Sequence, residues 1–225
     1  MALAPALLVT DFAGTTMEDA GAVLGAYRSA LNRFEIPFTE EDLAARRGAS
    51  KRAVFEELAG RALPADEASS VAAGALAAFE AALRDEYASG AVREVPGAEA
   101  SLRRLKQAGV KLALTTGFNR ELLNLLVGRL AWQELFDVTL AAEDAPLGRP
   151  APFLIYRAMM ALGVGEVATV AVAGDTPLDL QAGNNARAGW VIGVLSGAHG
   201  VATLGATPHT HLLPSIAEVP GLFGL

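Results

Sequence analysis

Leu7-Leu8-Val9-Thr10-Asp11-Phe12-Ala13-Gly14-Thr15-Thr16 is the stretch from which the fold can be read. A short apolar run stops at a carboxylate, and a small residue, a glycine and two hydroxyls follow. The run predicts a strand buried on both faces, as in a parallel sheet. Ligands of open α/β sheets lie just outside the carboxyl ends of such strands, so Asp11 stands where a reacting group belongs. Gly14 lets the backbone turn away sharply. Thr15 and Thr16 can hydrogen-bond within the turn or to a bound oxyanion. The competing reading is a strand-ending Asp that only caps the next helix.

The chain has 225 residues, room for one large domain or a core with a smaller one. A hydrophobic share of 52% supplies a real core and excludes a disordered chain. The formal net charge of −7, with no basic stripe to offset it, argues against a nucleic-acid partner. With no cysteine, disulfides, thiolate metal sites and a Cys nucleophile are excluded. Met1 to Val9 is apolar but lacks a basic flank and runs straight into Asp11, so it reads as a strand and not as a signal peptide. No apolar stretch approaches the roughly 18 residues of a membrane span. These features point to a cytoplasmic chain with no membrane partner. A homodimer is a further expectation.

From Glu18 to Phe34, apolar residues Val23, Leu24, Tyr27, Leu31 and Phe34 recur at helical spacing, with Glu18 or Asp19 favouring the start. Thr39-Glu40-Glu41-Asp42 resembles a capping box. Ser50 can cap a helix from Lys51 to about Arg61, and Pro64 opens a long Ala-rich helix to about Tyr87. From Val95-Pro96-Gly97 the texture changes to strands alternating with helices. Helices are expected at Ala98–Ala108, Asn119–Leu130, Pro152–Leu162 and Leu178–Ala188. Strands are expected at Val110–Thr115, Phe136–Leu140, Ala168–Ala173 and Trp190–Leu195, with a last short one at His211–Leu213. Ser196 to Pro208 reads as loop. The result is an α/β core whose first connection carries a helical insert of roughly 70 residues, far beyond an ordinary connection. Such an insert must pack as its own unit and is expected over the end of the first strand, above Asp11.

Four stretches fall at strand ends: Asp11 after the first strand, Thr116 after the second, Arg149 after the third and Asp175 after the fourth. In a parallel sheet all four face the same side. Asp11 and Asp175 can share a hard divalent ion such as magnesium, which takes a couple of carboxylates, waters and a substrate phosphate. Asp179, one helical turn past Asp175, faces the same way and can hold a metal-bound water or orient a ligand. The alternative for Asp175 is a helix N-cap. Thr116 and the Gly117 amide form a small anion nest at a helix start, or a plain strand–helix turn. Arg149 is a permanent cation able to neutralise phosphate charge, or else a solvated surface arginine. The histidines His199, His209 and His211 read as structural or surface residues, and Met159-Met160 as core filling.

These stretches resemble the motifs of the haloacid dehalogenase (HAD) superfamily, mainly aspartate-nucleophile phosphohydrolases. The likeness covers essentially the whole chain, including a helical cap after the first motif. It implies a doubly wound parallel sheet, an HAD-like Rossmannoid core from residues 1–17 and 93–225, and an all-helical cap from 18–92. The family pattern Asp-x-Asp-x-Thr is here Asp11-Phe12-Ala13-Gly14-Thr15, and the usual lysine before the fourth motif is Arg149. Both departures are shared with the phosphonoacetaldehyde hydrolase (phosphonatase) branch, which Thr115-Thr116-Gly117 and Arg149-Pro150 also resemble.

The resemblance implies that Asp11 attacks phosphorus to form an aspartyl-phosphate. It implies Mg2+ held by Asp11, the Ala13 carbonyl, Asp175 and Asp179, with Thr15, Thr116, Gly117 and Arg149 binding the phosphoryl group. Ala13 cannot protonate a leaving alkoxide or activate water as the usual second Asp does. Phosphonatases avoid that need through a Schiff base on a cap lysine. Lys51, in Arg47-Gly48-Ala49-Ser50-Lys51-Arg52, follows a glycine by three as that lysine does. Lys51 is expected to form a Schiff base, or to contact the substrate electrostatically with Arg47, or to be a solvated helix residue. The expected function is hydrolysis of a small phosphonate or phosphorylated substrate. The alternatives are a general small-molecule phosphatase without the second Asp, or a non-catalytic phospho-ligand binding protein.

Overall fold

The computed structural model describes residues 4–225, and the strand reading of Met1–Val9 lies partly outside them. The chain forms two compact units: Asp19–Ala91, and Val92–Leu225 together with the N-terminal segment through Glu18.

The first of these is helical: α1 Ala22–Arg33, α2 Glu40–Ala45, α3 Lys51–Ala62 and α4 Ala65–Ser89. Helix α1 starts later than the periodicity predicts. Ala20 and Gly21 sit in the left-handed region, at φ 46° and 83°, which a helix cannot include. Asp19 still serves the start, its Oδ1 accepting from Val23 N at 3.2 Å. Thr39 and Asp42 make the expected capping box, each side chain accepting the other's amide at 3.0 Å. Ser50 stands at the α3 N-cap without a side-chain capping bond. Helix α4 packs along both α1 and α3. Their shared core includes Tyr27, Phe55 and Phe79, all almost completely buried.

In the other unit, strands β1 Leu7–Thr10, β2 Lys111–Thr115, β3 Val138–Leu140, β4 Val170–Gly174, β5 Trp190–Val194 and β6 His211–Leu213 form one sheet in the order β3-β2-β1-β4-β5-β6. Every pairing is parallel. Helices α5 Ala98–Gln107, α6 Arg120–Arg129, α7 Phe153–Leu162 and α8 Pro177–Ala186 make the connections, with the short helices α9 Val201–Gly205 and α10 Val219–Leu222 toward the C-terminus. Helices α7 and α8 touch each other and cover one face, over Leu7, Val9, Ala113, Val170 and Val172. Strands β1 and β4 are buried along their whole length, which is why they read as unbroken apolar runs.

Three expectations need correction. The stretch expected as loop after Ser196 contains α9, whose Leu204 is buried against Leu180 and Val191; the glycines around it hide so short a helix from periodicity. Strand β3 is confined to three residues. Met159 fills core, but Met160, one position round α7, is 72% exposed. Among the described residues, no helix is long and apolar enough to cross a membrane.

Candidate active site

Successive strands run outward from β1 in one direction through β2 to β3, and in the other from β4 to β6. The reversal lies between β1 and β4, the switch point where open α/β sheets bind ligands. Asp11 ends β1 and Asp175 ends β4, so both carboxylates lie at that crevice.

The turn after β1 is tight. Asp11 N donates to Ala173 O at 2.9 Å, tying it to β4, and Phe12 O accepts from the amides of Thr15, Thr16 and Met17. Ala13, half-buried, bridges to Met17 in this turn. Gly14 takes φ +90°, and a Cβ there would stand 2.5 Å from Asp175 Oδ2. The glycine thus serves both the turn and the approach of the β1 loop to Asp175.

Arg149 is not a solvated surface arginine; its side chain is 9% exposed. Nη1 lies 2.7 Å from Asp11 Oδ1, and Nε lies 2.8 Å from Asp179 Oδ1. Nη2 donates to Thr115 Oγ1 at 2.7 Å and to Thr115 O at 3.2 Å. The Asp179 contact is an ion pair without hydrogen-bond alignment, so that oxygen has no hydrogen-bond partner among the described residues. Thr115 was given no role of its own from sequence, yet its hydroxyl ties Arg149 to β1 by donating in turn to Thr10 O.

Asp175 is 1% exposed. Its Oδ1 accepts from Thr15 Oγ1 at 2.9 Å and its Oδ2 from Ala198 N at 2.7 Å. It is not the cap of α8. Thr176 is, in a capping box whose N3 residue is Asp179. Asp179 Oδ2 accepts from Thr176 N at 3.1 Å and Thr176 Oγ1 at 2.6 Å, so one oxygen builds the helix start while the other faces Arg149. Gly174 has no room for a side chain, because a Cβ would meet that of Asp179.

The loop after β5 belongs to this site, which the sequence reading missed. Ser196 Oγ donates to Gly14 O at 2.9 Å, and His199 Nδ1 lies 3.3 Å from Asp175 O. Half-buried His199 is therefore beside the carboxylate cluster and not a remote surface group. The only signal for this was a glycine-rich turn, Ser196-Gly197-Ala198-His199-Gly200, at a strand's carboxyl end. Thr15, expected on the substrate, gives its hydroxyl to Asp175. Thr116 Oγ1 accepts from Phe118 N at 3.2 Å and keeps its own proton to donate. Helix α6 starts only at Arg120 with Asn119 as cap, so Thr116-Gly117 is a turn ahead of the helix and not its first residues. Arg47 and Lys51 belong to the helical unit, where both are half-buried.

Asp11, Asp175 and Asp179 each offer an oxygen within 4.8 Å of the others. Burial pushes Asp11 up to about 6, with Asp179 adding and Arg149 opposing. Burial, then the charges of Asp11 and Asp179, push Asp175 up to about 8. Three carboxylates against one guanidinium leave a formal charge of about −2 when all are ionised, which a divalent cation balances. The donors are all oxygen and one lacks a hydrogen bond, a set that fits a hard ion such as magnesium.

Residues 5–187 match the haloacid dehalogenase-like hydrolase family. Phosphonoacetaldehyde hydrolase of Bacteroides fragilis is 33% identical over 132 residues, 56% of this chain and 49% of that protein. The Bacillus cereus protein of the same name is 32% identical over 118 residues, 52% and 43% of the two chains. The chain spans about half the length of the curated relatives it matches. A hydrolase from Pseudomonas syringae superposes with a TM-score of 0.83 at 18% identity, covering 96% of each chain. A phosphonoacetaldehyde hydrolase-like protein from Oleispira antarctica gives 0.82 at 18%, covering 100% of this chain and 94% of that one. At such identities these two likenesses concern the fold. The family match, by contrast, runs along the sequence through β1, Arg149 and the carboxylates after β4, and on that ground the chain belongs to the haloacid dehalogenase-like hydrolase family.

Proposed function

We propose that the chain is a magnesium-dependent, phosphonatase-like hydrolase that releases phosphate from a small organophosphorus substrate, a phosphonate such as phosphonoacetaldehyde or a phosphomonoester. The observation that carries the reading is a buried Asp11 paired with Arg149 at the switch point, with Ala13 where a second carboxylate would act as acid. The names of the curated relatives support the same reading.

An oxygen of Asp11 attacks phosphorus, the bond to the leaving group breaks, and an aspartyl-phosphate remains for water to hydrolyse. Arg149 orients Asp11 before the reaction and meets phosphoryl oxygens during it. The Thr116 hydroxyl and the Gly117 amide take further oxygens. Asp11, the Ala13 carbonyl, Asp175 and Asp179 would hold magnesium, which supplies positive charge against the phosphoryl group. Thr15 acts on Asp175, orienting it through the 2.9 Å hydrogen bond. With no acid at Ala13, the leaving group must depart without taking a proton there. Imine formation between Lys51 and a substrate aldehyde meets that need, because the electrons of the breaking C–P bond flow into the imine as an enamine. Arg47 adds positive charge for the same anionic substrate.

The test is phosphate release from phosphonoacetaldehyde and from a panel of phosphomonoesters, with magnesium and with chelator. Turnover of phosphonoacetaldehyde that vanishes in Asp11→Asn is expected. Folded, magnesium-loaded protein inactive on every compound would overturn the proposal. Turnover of the esters alone would leave the phosphatase and remove C–P cleavage.

A further inference from the structure

Lys51 is the first residue of α3, and its ammonium lies 5.6 Å from the ring centroid of Tyr27 on α1. That is within the range of a cation–π contact. The ring is held rigidly. Its centroid stands 4.6 Å from that of Phe79 on α4 and 5.3 Å from that of Phe55, one turn beyond Lys51 on α3. Phe55 and Phe79 are themselves 5.6 Å apart, edge to face. Tyr27 is 3% exposed, and its hydroxyl has no hydrogen-bond partner among the described residues. Burial pushes that hydroxyl up, so it stays neutral and offers no phenolate charge. The face of the ring is therefore the part of Tyr27 that meets the lysine.

The neighbouring arginine does something else. Arg46 pairs with Asp42 at 3.0 Å and with Glu57 at 2.8 Å, and Arg61 joins the same two carboxylates. Its charge is balanced locally.

We propose that Tyr27 is a positioning residue for Lys51, its ring face carrying the lysine cation on both sides of imine formation. The proposal rests on the Schiff-base reading of Lys51. In that step the amine nitrogen bonds to the aldehyde carbon and the carbonyl oxygen leaves as water. In sum, ammonium plus aldehyde gives a protonated imine plus water, so one positive charge stands at that nitrogen before and after. A long, flexible side chain otherwise loses its rotamer freedom when the imine forms. A ring already seated under its charge reduces that loss. The ligand class is a small aldehyde bearing an anionic group.

The experiment is borohydride trapping of phosphonoacetaldehyde on the full chain, with the adduct mapped to Lys51 by mass spectrometry. Tyr27→Phe keeps the ring and should trap within about twofold of wild type, while Tyr27→Leu should trap about tenfold more slowly. A series of progressively fluorinated phenylalanines at position 27 keeps the shape and drains the ring face of negative potential. Trapping rates should change stepwise along that series, which a purely packing role would leave flat. The series also decides the matter if the Leu variant does not fold. Wild-type trapping at Lys51 with a flat series overturns the role of Tyr27 alone. No trapping in the wild type overturns the Schiff-base reading and this proposal with it.

Discussion

Gly197→Ala puts the smallest possible side chain against the best-held carboxylate of the site. An ideal Cβ at 197 would stand 2.6 Å from Asp175 Cβ, with Asp175 Cγ and Oδ2 closer still. Carbon atoms pack at roughly 3.5–4 Å, so something must move by about 1 Å. Rotating the Asp175 side chain does not help, because its Cβ is among the atoms struck. Asp175 is fixed to β4 and held by Thr15, so the loop of Ser196 to His199 must retreat. Retreat breaks the 2.7 Å hydrogen bond from Ala198 N to Asp175 Oδ2. At neutral pH in chelator Asp175 is mostly protonated, and a hydrogen bond to a neutral group is worth about 0.5–1.5 kcal/mol. For a chain of this size that loss lowers the thermal midpoint by roughly 1–6 °C. Losing an outer partner of a metal-ligating carboxylate weakens metal affinity about 10–100-fold.

The assay measures Mn2+ binding by electron paramagnetic resonance and thermal midpoints with chelator present. Gly200→Ala is the control in the same loop: its Cβ meets nothing within 4 Å, and its effect should stay within about 0.5 kcal/mol. If Gly197→Ala binds Mn2+ as tightly as the control and melts with it, the loop does not hold Asp175, and the reasoning fails. If the wild-type chain binds no divalent ion, the metal reading itself fails.

Arg149→Ala leaves Asp11 and Asp179 buried without their cation; breaking such a pair costs about 3–5 kcal/mol, to be read as a lower urea midpoint in chelator. Added magnesium should recover part of that loss. Asp11 and Asp175 titrate above the unfolded carboxylate value, so the folded chain holds more protons than the unfolded one between about pH 4 and about 8. Their contribution to stability is full below about pH 4 and fades as pH rises through about 6 and then about 8; melting in chelator should show this decline, and magnesium should flatten it. A midpoint in chelator that rises over that interval would contradict the raised values. Tyr27→Phe removes a buried hydroxyl with no hydrogen-bond partner among the described residues and should stabilise the chain by about 1 kcal/mol in urea unfolding, without altering the ring contact to Lys51.

What could be read before folding was whatever depends on near neighbours in the chain. Strands β1 and β4 announce themselves because burial on both faces demands unbroken apolar runs, and Asp11 and Asp175 because each run stops at a carboxylate. The glycine at 14 was legible as a turn former. Its second task, making room for Asp175 across 161 positions of sequence, was not. The same limit explains Thr15, Thr115 and the Ser196–His199 loop. Their partners are Asp175, Arg149 and Gly14, and only the strand order brings these together.

That order also explains why so much surrounds one side chain. A buried carboxylate near two others is pushed toward its protonated form, as Asp175 is. Hydrogen bonds from Thr15 and Ala198 pull the other way, favouring the ionised form that a cation needs. The donors come from the turn after β1 and the loop after β5, and Ser196 ties that loop to the turn through Gly14. The strands flanking β4 thus each send one donor to Asp175, and the brace between the two donor segments resists their separation when the carboxylate charge changes. On this argument Ser196→Ala should weaken Mn2+ binding by less than Gly197→Ala does, because it loosens the brace while leaving both donors on Asp175. An effect larger than that of Gly197→Ala would place the main restraint on the Gly14 turn and not on Asp175.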